Sequence, residues 1–109
     1  MNSETKKAAR LAYKQQVTEY GVIQIENTRT HERFIAAVPN IKNRWVYYQL
    51  NLNRGAYHDQ PLQRAWDADG AEAFEYSVLF KKDAAKVVNM RATLKDLLAE
   101  WTERIHPEY

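Results

Sequence analysis

The sequence predicts an α+β domain in which a small antiparallel three-stranded sheet is flanked by helices. Two short runs rich in β-branched and aromatic residues, 20–26 and 33–38, enclose polar turn residues, which predicts a hairpin. The run 74–81 alternates in polarity and predicts a third strand. One face of this strand is expected to carry Phe74, Tyr76, Val78 and Phe80. A chain of 109 residues suffices for one domain, 1–109, with one modest core.

A helix is predicted before the hairpin. The segment 3–17 begins with Ser3, a residue that can cap a helix, and continues through good helix formers. One side of this weakly amphipathic helix carries three basic residues: Lys7, Arg10 and Lys14. The segment therefore reads as an extra N-terminal helix attached to a core that covers residues 20–106.

Three further helices are predicted after the hairpin. The first has four apolar residues on one face: Ile41, Trp45, Tyr48 and Leu52. Gly55 can end it, and a short helix from Pro61 is closed by Gly70. The last helix carries an apolar stripe and stops before Pro107. That stripe consists of Met90, Leu94, Leu97, Leu98, Trp101 and Ile105, and we expect Leu98 to pack in the core together with Leu94, Leu97 and Trp101.

Composition excludes several classes of protein. Sixteen basic and fourteen acidic residues give a net charge of only +2, too small to indicate a polyanionic partner by itself. The chain has no cysteine, which excludes disulfides, a thiol nucleophile and a cysteine-bound metal. Its three histidines have no metal-ligand spacing, so neither a metal nor another cofactor is expected. Without an apolar run long enough to span a bilayer, we expect a cytoplasmic protein with no membrane partner.

A series of short motifs runs through the predicted strands and helices. The motifs are Tyr20-Gly21-Val22-Ile23-Gln24-Ile25, Phe34-Ile35-Ala36, Asn43-Arg44-Trp45, His58, Leu62-Gln63-Arg64-Ala65-Trp66 and Phe74-Glu75-Tyr76. In order and spacing they resemble the GIY-YIG nuclease superfamily, especially its homing-endonuclease branch and short bacterial members whose first strand reads GVIQI. The resemblance covers residues 20–106 and implies a GIY-YIG-like fold.

The resemblance also implies which residues would carry catalysis. Active members use a tyrosine from each signature motif, an arginine, and a glutamate that holds a divalent cation. In this sequence Ile23 and Phe34 stand at the tyrosine positions, and Leu98 stands at the glutamate position. Arg44 matches the arginine, and His58 matches a histidine found in one branch. The usual base and metal ligand are therefore absent, and Arg44 and His58 are interpreted as vestigial.

These observations favour a catalytically degenerate nuclease-like domain that binds nucleic acid. Seven basic residues are the predicted contacts: Lys7, Arg10, Lys14, Lys42, Arg44, His58 and Arg64. Two alternatives stay open. One is an active or altered GIY-YIG endonuclease, which would require magnesium, and the missing hydroxyls and carboxylate argue against it. The other is a module that binds a protein partner or serves a structural role, which the near-neutral charge keeps open.

Overall fold

The computed structural model describes residues 17–109. The predicted N-terminal helix, with Lys7, Arg10 and Lys14, lies outside this range. The described elements are β1 (Glu19–Asn27), β2 (Arg33–Val38), α1 (Arg44–Asn53), α2 (Pro61–Asp69), β3 (Phe74–Asp83) and α3 (Met90–Ile105). Short 3₁₀ turns at Ala71–Ala73 and Ala84–Lys86 flank β3. The α+β prediction is confirmed.

The three strands form one antiparallel sheet in the order β2-β1-β3. On one face of the central strand, Ile23 and Ile25 are fully buried. Nine buried residues form the core cluster on this face: Ile23, Ile25, Val38, Tyr48, Leu52, Leu62, Trp66, Ala73 and Phe74. Because this cluster draws on both α1 and α2, these two helices cover the same face of the sheet.

A β-bulge in β3 changes the predicted face of one residue. Val22 pairs with Phe80 and Ile23 pairs with Val78, which leaves Leu79 between them without a partner on β1. Phe80 is therefore turned to the opposite face from Val78, and its ring lies 6.2 Å from that of Tyr20. The prediction that Phe80 shares a face with Phe74, Tyr76 and Val78 is wrong, because a bulge reverses the alternation.

The last helix covers the other face of the sheet, and here a second prediction is wrong. α3 packs against β2 and β1 but contributes no residue to the core cluster. It is half-buried along Leu94, Leu97 and Trp101, and none of its residues is fully buried. Leu98 is 38% exposed. It lies at the margin of the apolar stripe, roughly 60° from its centre, so it does not pack as a core residue.

Residues with special backbone conformations set the limits of α1 and α2. Asn43 adopts a left-handed conformation with φ of 57°, so α1 begins at Arg44 and Ile41, predicted on its apolar face, precedes the helix. α2 starts at Pro61, as predicted, and ends before Gly70, whose φ is 83°. Gln63 joins the two helices, since its Nε2 donates to the carbonyl of Leu52 at 2.8 Å.

No helix within residues 17–109 is long and apolar enough to cross a membrane.

Candidate functional site

The two signature positions lie on the core side of the sheet. Ile23 has no exposed surface and pairs with Ala36 on β2 and with Val78 on β3. Phe34 is half-buried, and its ring packs edge-on against Tyr48 with centroids 5.7 Å apart. Neither side chain can exchange a proton, so the floor of the site is apolar.

Four tyrosines gather above this apolar floor, and we call them the tyrosine cluster: Tyr47, Tyr48, Tyr57 and Tyr76. Tyr48 is central, with ring centroids 5.4 Å from Tyr47 and 6.2 Å from Tyr57. Tyr76, from β3, stacks on Trp45 at 5.4 Å and 17°. Residues from α1, from the loop after it and from β3 thus bring several hydroxyl groups into one region.

Arg44 lies beside the tyrosine cluster. Its guanidinium carbon is 5.1 Å from the centre of the Tyr47 ring, within the range of a cation–π contact. Its Nε and Nη2 donate to the carbonyl of Asn40 at 3.2 and 3.1 Å. Among the described residues, no carboxylate lies within ion-pair distance of it. Arg44 is therefore held in place with its charge unneutralised by this part of the chain.

The hydroxyls of Tyr48, Tyr57 and Tyr76 stay protonated at neutral pH. Burial raises the pKa of Tyr48 and Tyr76 above the usual value, although the charge of Arg44 acts in the opposite direction. The pKa of Tyr57 is raised more strongly, first by burial and then by its interaction with Tyr47. The Tyr76 hydroxyl is buried without a hydrogen-bond partner in the described part of the chain. Protonated phenols are hydrogen-bond donors and poor bases, so they and a guanidinium together favour an anion.

None of the other predicted site residues in the described chain hydrogen-bonds to Arg44, and Leu98 lies on the opposite face of the sheet. Lys42 is exposed in the turn that precedes α1, and His58 is exposed next to Tyr57. Arg64 is exposed on α2 and donates to the carbonyl of Asp59 at 3.0 Å. Leu98 lies on α3, where the surface depression beside it is lined by other α3 residues. Within residues 17–109, no group of three or more histidines and carboxylates could hold a metal ion.

The charged residues are unevenly distributed along the chain, which the net charge of +2 does not indicate. All fourteen acidic residues lie outside the segment 33–58, which carries four basic residues and His58. Those four are Arg33, Lys42, Arg44 and Arg54. Arg54, at the end of α1, was not among the predicted contacts, and its Nη2 donates to Asn51 Oδ1 at 2.8 Å. The segment that holds Arg44 is therefore locally basic although the whole chain is nearly neutral.

Comparison with known proteins identifies the fold. No protein-family model matches the sequence, and no curated protein matches it. The catalytic domain of the homing endonuclease I-TevI is similar in structure, with a TM-score of 0.67 and 20% identity over 82% of this chain and 90% of that domain. A mutant of the same intron endonuclease domain gives the same TM-score and identity over 81% and 84%. The chain therefore has the GIY-YIG nuclease fold that its motifs predicted.

Proposed function

We propose that this domain binds nucleic acid through backbone phosphates, with Arg44 as the central contact. The observation that carries the proposal is the environment of Arg44. Its guanidinium has no carboxylate partner in the described chain, and it lies beside tyrosine hydroxyls. The segment around it, 33–58, contains no acidic residue. A phosphate oxygen would accept hydrogen bonds from the guanidinium and neutralise its charge. Lys42, two residues before Arg44, and His58, next to Tyr57, are exposed and would contact neighbouring phosphates.

We further propose that the domain does not cleave its ligand by the two-tyrosine and metal route of active GIY-YIG enzymes. Ile23 is enclosed in the core and offers no acid or base. Burial raises the pKa of the nearby Tyr48, so this phenol remains protonated and cannot readily deprotonate water. A site centred on a guanidinium and protonated phenols supports binding better than hydrolysis by this route.

The experiment measures the affinity of labelled oligonucleotides by fluorescence anisotropy between about 50 and 200 mM salt. Each neutralised phosphate adds about one unit to the slope of log affinity against log salt. Arg44→Ala should lower that slope by about one, whereas Arg91→Ala, which removes an exposed arginine from α3, should leave it unchanged. If neither duplex nor single-stranded oligonucleotide binds at 50 mM salt, the proposal is wrong and a protein-binding role becomes the better hypothesis.

An altered nuclease is the second candidate, because one observation favours it. Tyr48 follows Arg44 by one helical turn, and the charge of Arg44 acts on its hydroxyl. The Tyr48 hydroxyl, beside Arg44, could take the role that a signature tyrosine has in active GIY-YIG enzymes. We expect no nicking of supercoiled plasmid with magnesium or manganese above the level of Arg44→Ala. Cleavage that is lost in both Arg44→Ala and Tyr48→Phe would instead establish the enzyme.

A further inference from the structure

The outward side of α1 exposes apolar surface next to Arg44. Val46, Tyr47 and Leu50 are 52%, 49% and 64% exposed, and Tyr47 and Leu50 are one helical turn apart. Tyr47, Leu50, Asn51 and Arg54 line a shallow depression on this side of the helix. Single exposed apolar residues are common on protein surfaces, so the placement of Tyr47 between two arginines is what distinguishes this surface.

The ring of Tyr47 is fixed in orientation while half of its surface remains open. Arg44 lies over the ring at 5.1 Å, and the Tyr48 ring contacts it at 5.4 Å with an interplanar angle of 79°. An aromatic side chain held by its neighbours and open to solvent loses little conformational freedom when a flat ligand stacks on it. Nucleobases are flat and stack on aromatic side chains without strong sequence preference.

We infer that Tyr47 is a stacking platform for an unpaired base, so that the nucleic acid bound by the proposed function is single-stranded. Arg44 and Arg54 flank the platform and are ten residues apart, about 15 Å along the helix. At about 3.4 Å per nucleotide along a strand, this distance corresponds to roughly four nucleotides. In a duplex, both faces of each base are covered by neighbouring pairs, so a single surface ring cannot reach them.

The charge of this surface favours a nucleic acid over a protein partner as its occupant. No acidic residue occurs between Arg33 and His58, and no carboxylate among the described residues pairs with Arg44 or Arg54. An apolar protein segment would leave both guanidinium groups without a partner. A single strand supplies a base for Tyr47 and a phosphate for each arginine.

The experiment compares a single-stranded oligonucleotide of about eight nucleotides with the duplex of the same sequence, using wild type, Tyr47→Phe and Tyr47→Leu. Leucine keeps apolar volume but removes the flat ring. The single strand should bind more tightly than the duplex, and Tyr47→Leu should weaken single-strand binding roughly 5- to 150-fold, the usual range for loss of one stacked base. Tyr47→Phe should bind as wild type does, and the salt slope should stay unchanged in both variants because neither alters charge.

This inference rests on the proposed function, but the two can fail separately. If the duplex binds as tightly as the single strand, with a salt slope that depends on Arg44, the stacking inference is wrong and phosphate binding stands. The same conclusion follows if Tyr47→Leu binds the single strand as wild type does. If no oligonucleotide binds at about 50 mM salt, both proposals are overturned. Thermal melting of each variant controls for folding.

Discussion

Replacing Ile23 with the tyrosine that active GIY-YIG nucleases carry should destabilise this domain. Ile23 has no exposed surface and packs between two neighbouring strands. Overpacking a filled core costs about 1–3 kcal/mol, and burying a hydroxyl without a partner costs about 1–3 kcal/mol more. We therefore expect Ile23→Tyr to lower the free energy of unfolding by about 2–6 kcal/mol, a large part of the ~5–15 kcal/mol that holds a domain together.

The measurement is urea denaturation followed by circular dichroism, with two matched variants. Ile23→Val removes one methyl group from the same position and should cost about 0.5–1.5 kcal/mol. Phe34→Tyr adds a hydroxyl at a half-buried position, where it can reach water, so its cost should be about 1 kcal/mol or less. A wild-type unfolding midpoint for Ile23→Tyr would refute the reasoning, because it would mean that the position can open into a cleft.

Two further predictions concern α3 and the tyrosine cluster. Leu98→Glu should cost less than Ile23→Tyr, about 1 kcal/mol or less, because Leu98 is 38% exposed and a carboxylate there can reach water; a loss above about 2 kcal/mol in urea denaturation would show that Leu98 packs in the core. In a spectrophotometric titration at alkaline pH, Tyr48, Tyr57 and Tyr76 should ionise later than free tyrosine, and Tyr48→Phe should remove one late transition. Because the raised pKa values keep protons bound longer in the folded state than in the unfolded one, stability should be fully present below about pH 10 and fall as pH rises above it.

Most of the fold could be predicted from the sequence because local patterns agreed with the tertiary arrangement. The first two strands matched their β-rich runs, and Pro61 and Gly70 marked the limits of α2. The bulge at Leu79 could not be predicted, because it depends on how β3 pairs with β1. It also depends on Gly21, since a methyl group there would collide with the carbonyl oxygen of Phe80. The alternation of polar and apolar residues along β3 does not predict how closely the backbone of β1 approaches it.

The exposure of Leu98 shows a different limit of sequence reasoning. The leucine lies close enough to the apolar stripe of α3 to be counted as part of it. Only the packing of the helix on the sheet reveals that the side through Leu94, Leu97 and Trp101 is the half-buried one. The sheet surface against which a helix packs determines how wide a stripe of that helix is buried. The sequence of the helix alone does not predict this width.

The centre of the candidate site was predicted only in part. Arg44 was predicted from its match to the arginine of the motif. The tyrosine cluster was missed because hydroxyls were sought at the two signature positions. Tyr48 could have been found from its spacing of four residues after Arg44, which places both on one side of a helix. Tyr57 and Tyr76 come from other elements, so only the fold brings them to Arg44.

Arg44 is a positive charge without an anionic partner in the described part of the chain. Its cation–π contact with Tyr47, worth about 0.5–1 kcal/mol, and its hydrogen bonds to the Asn40 carbonyl fix the guanidinium but do not neutralise its charge. Arginines held only for structure commonly pair with a carboxylate, yet the described chain brings none to Arg44. An external anion would supply the missing partner, and because it binds the folded state alone, it would also stabilise the domain.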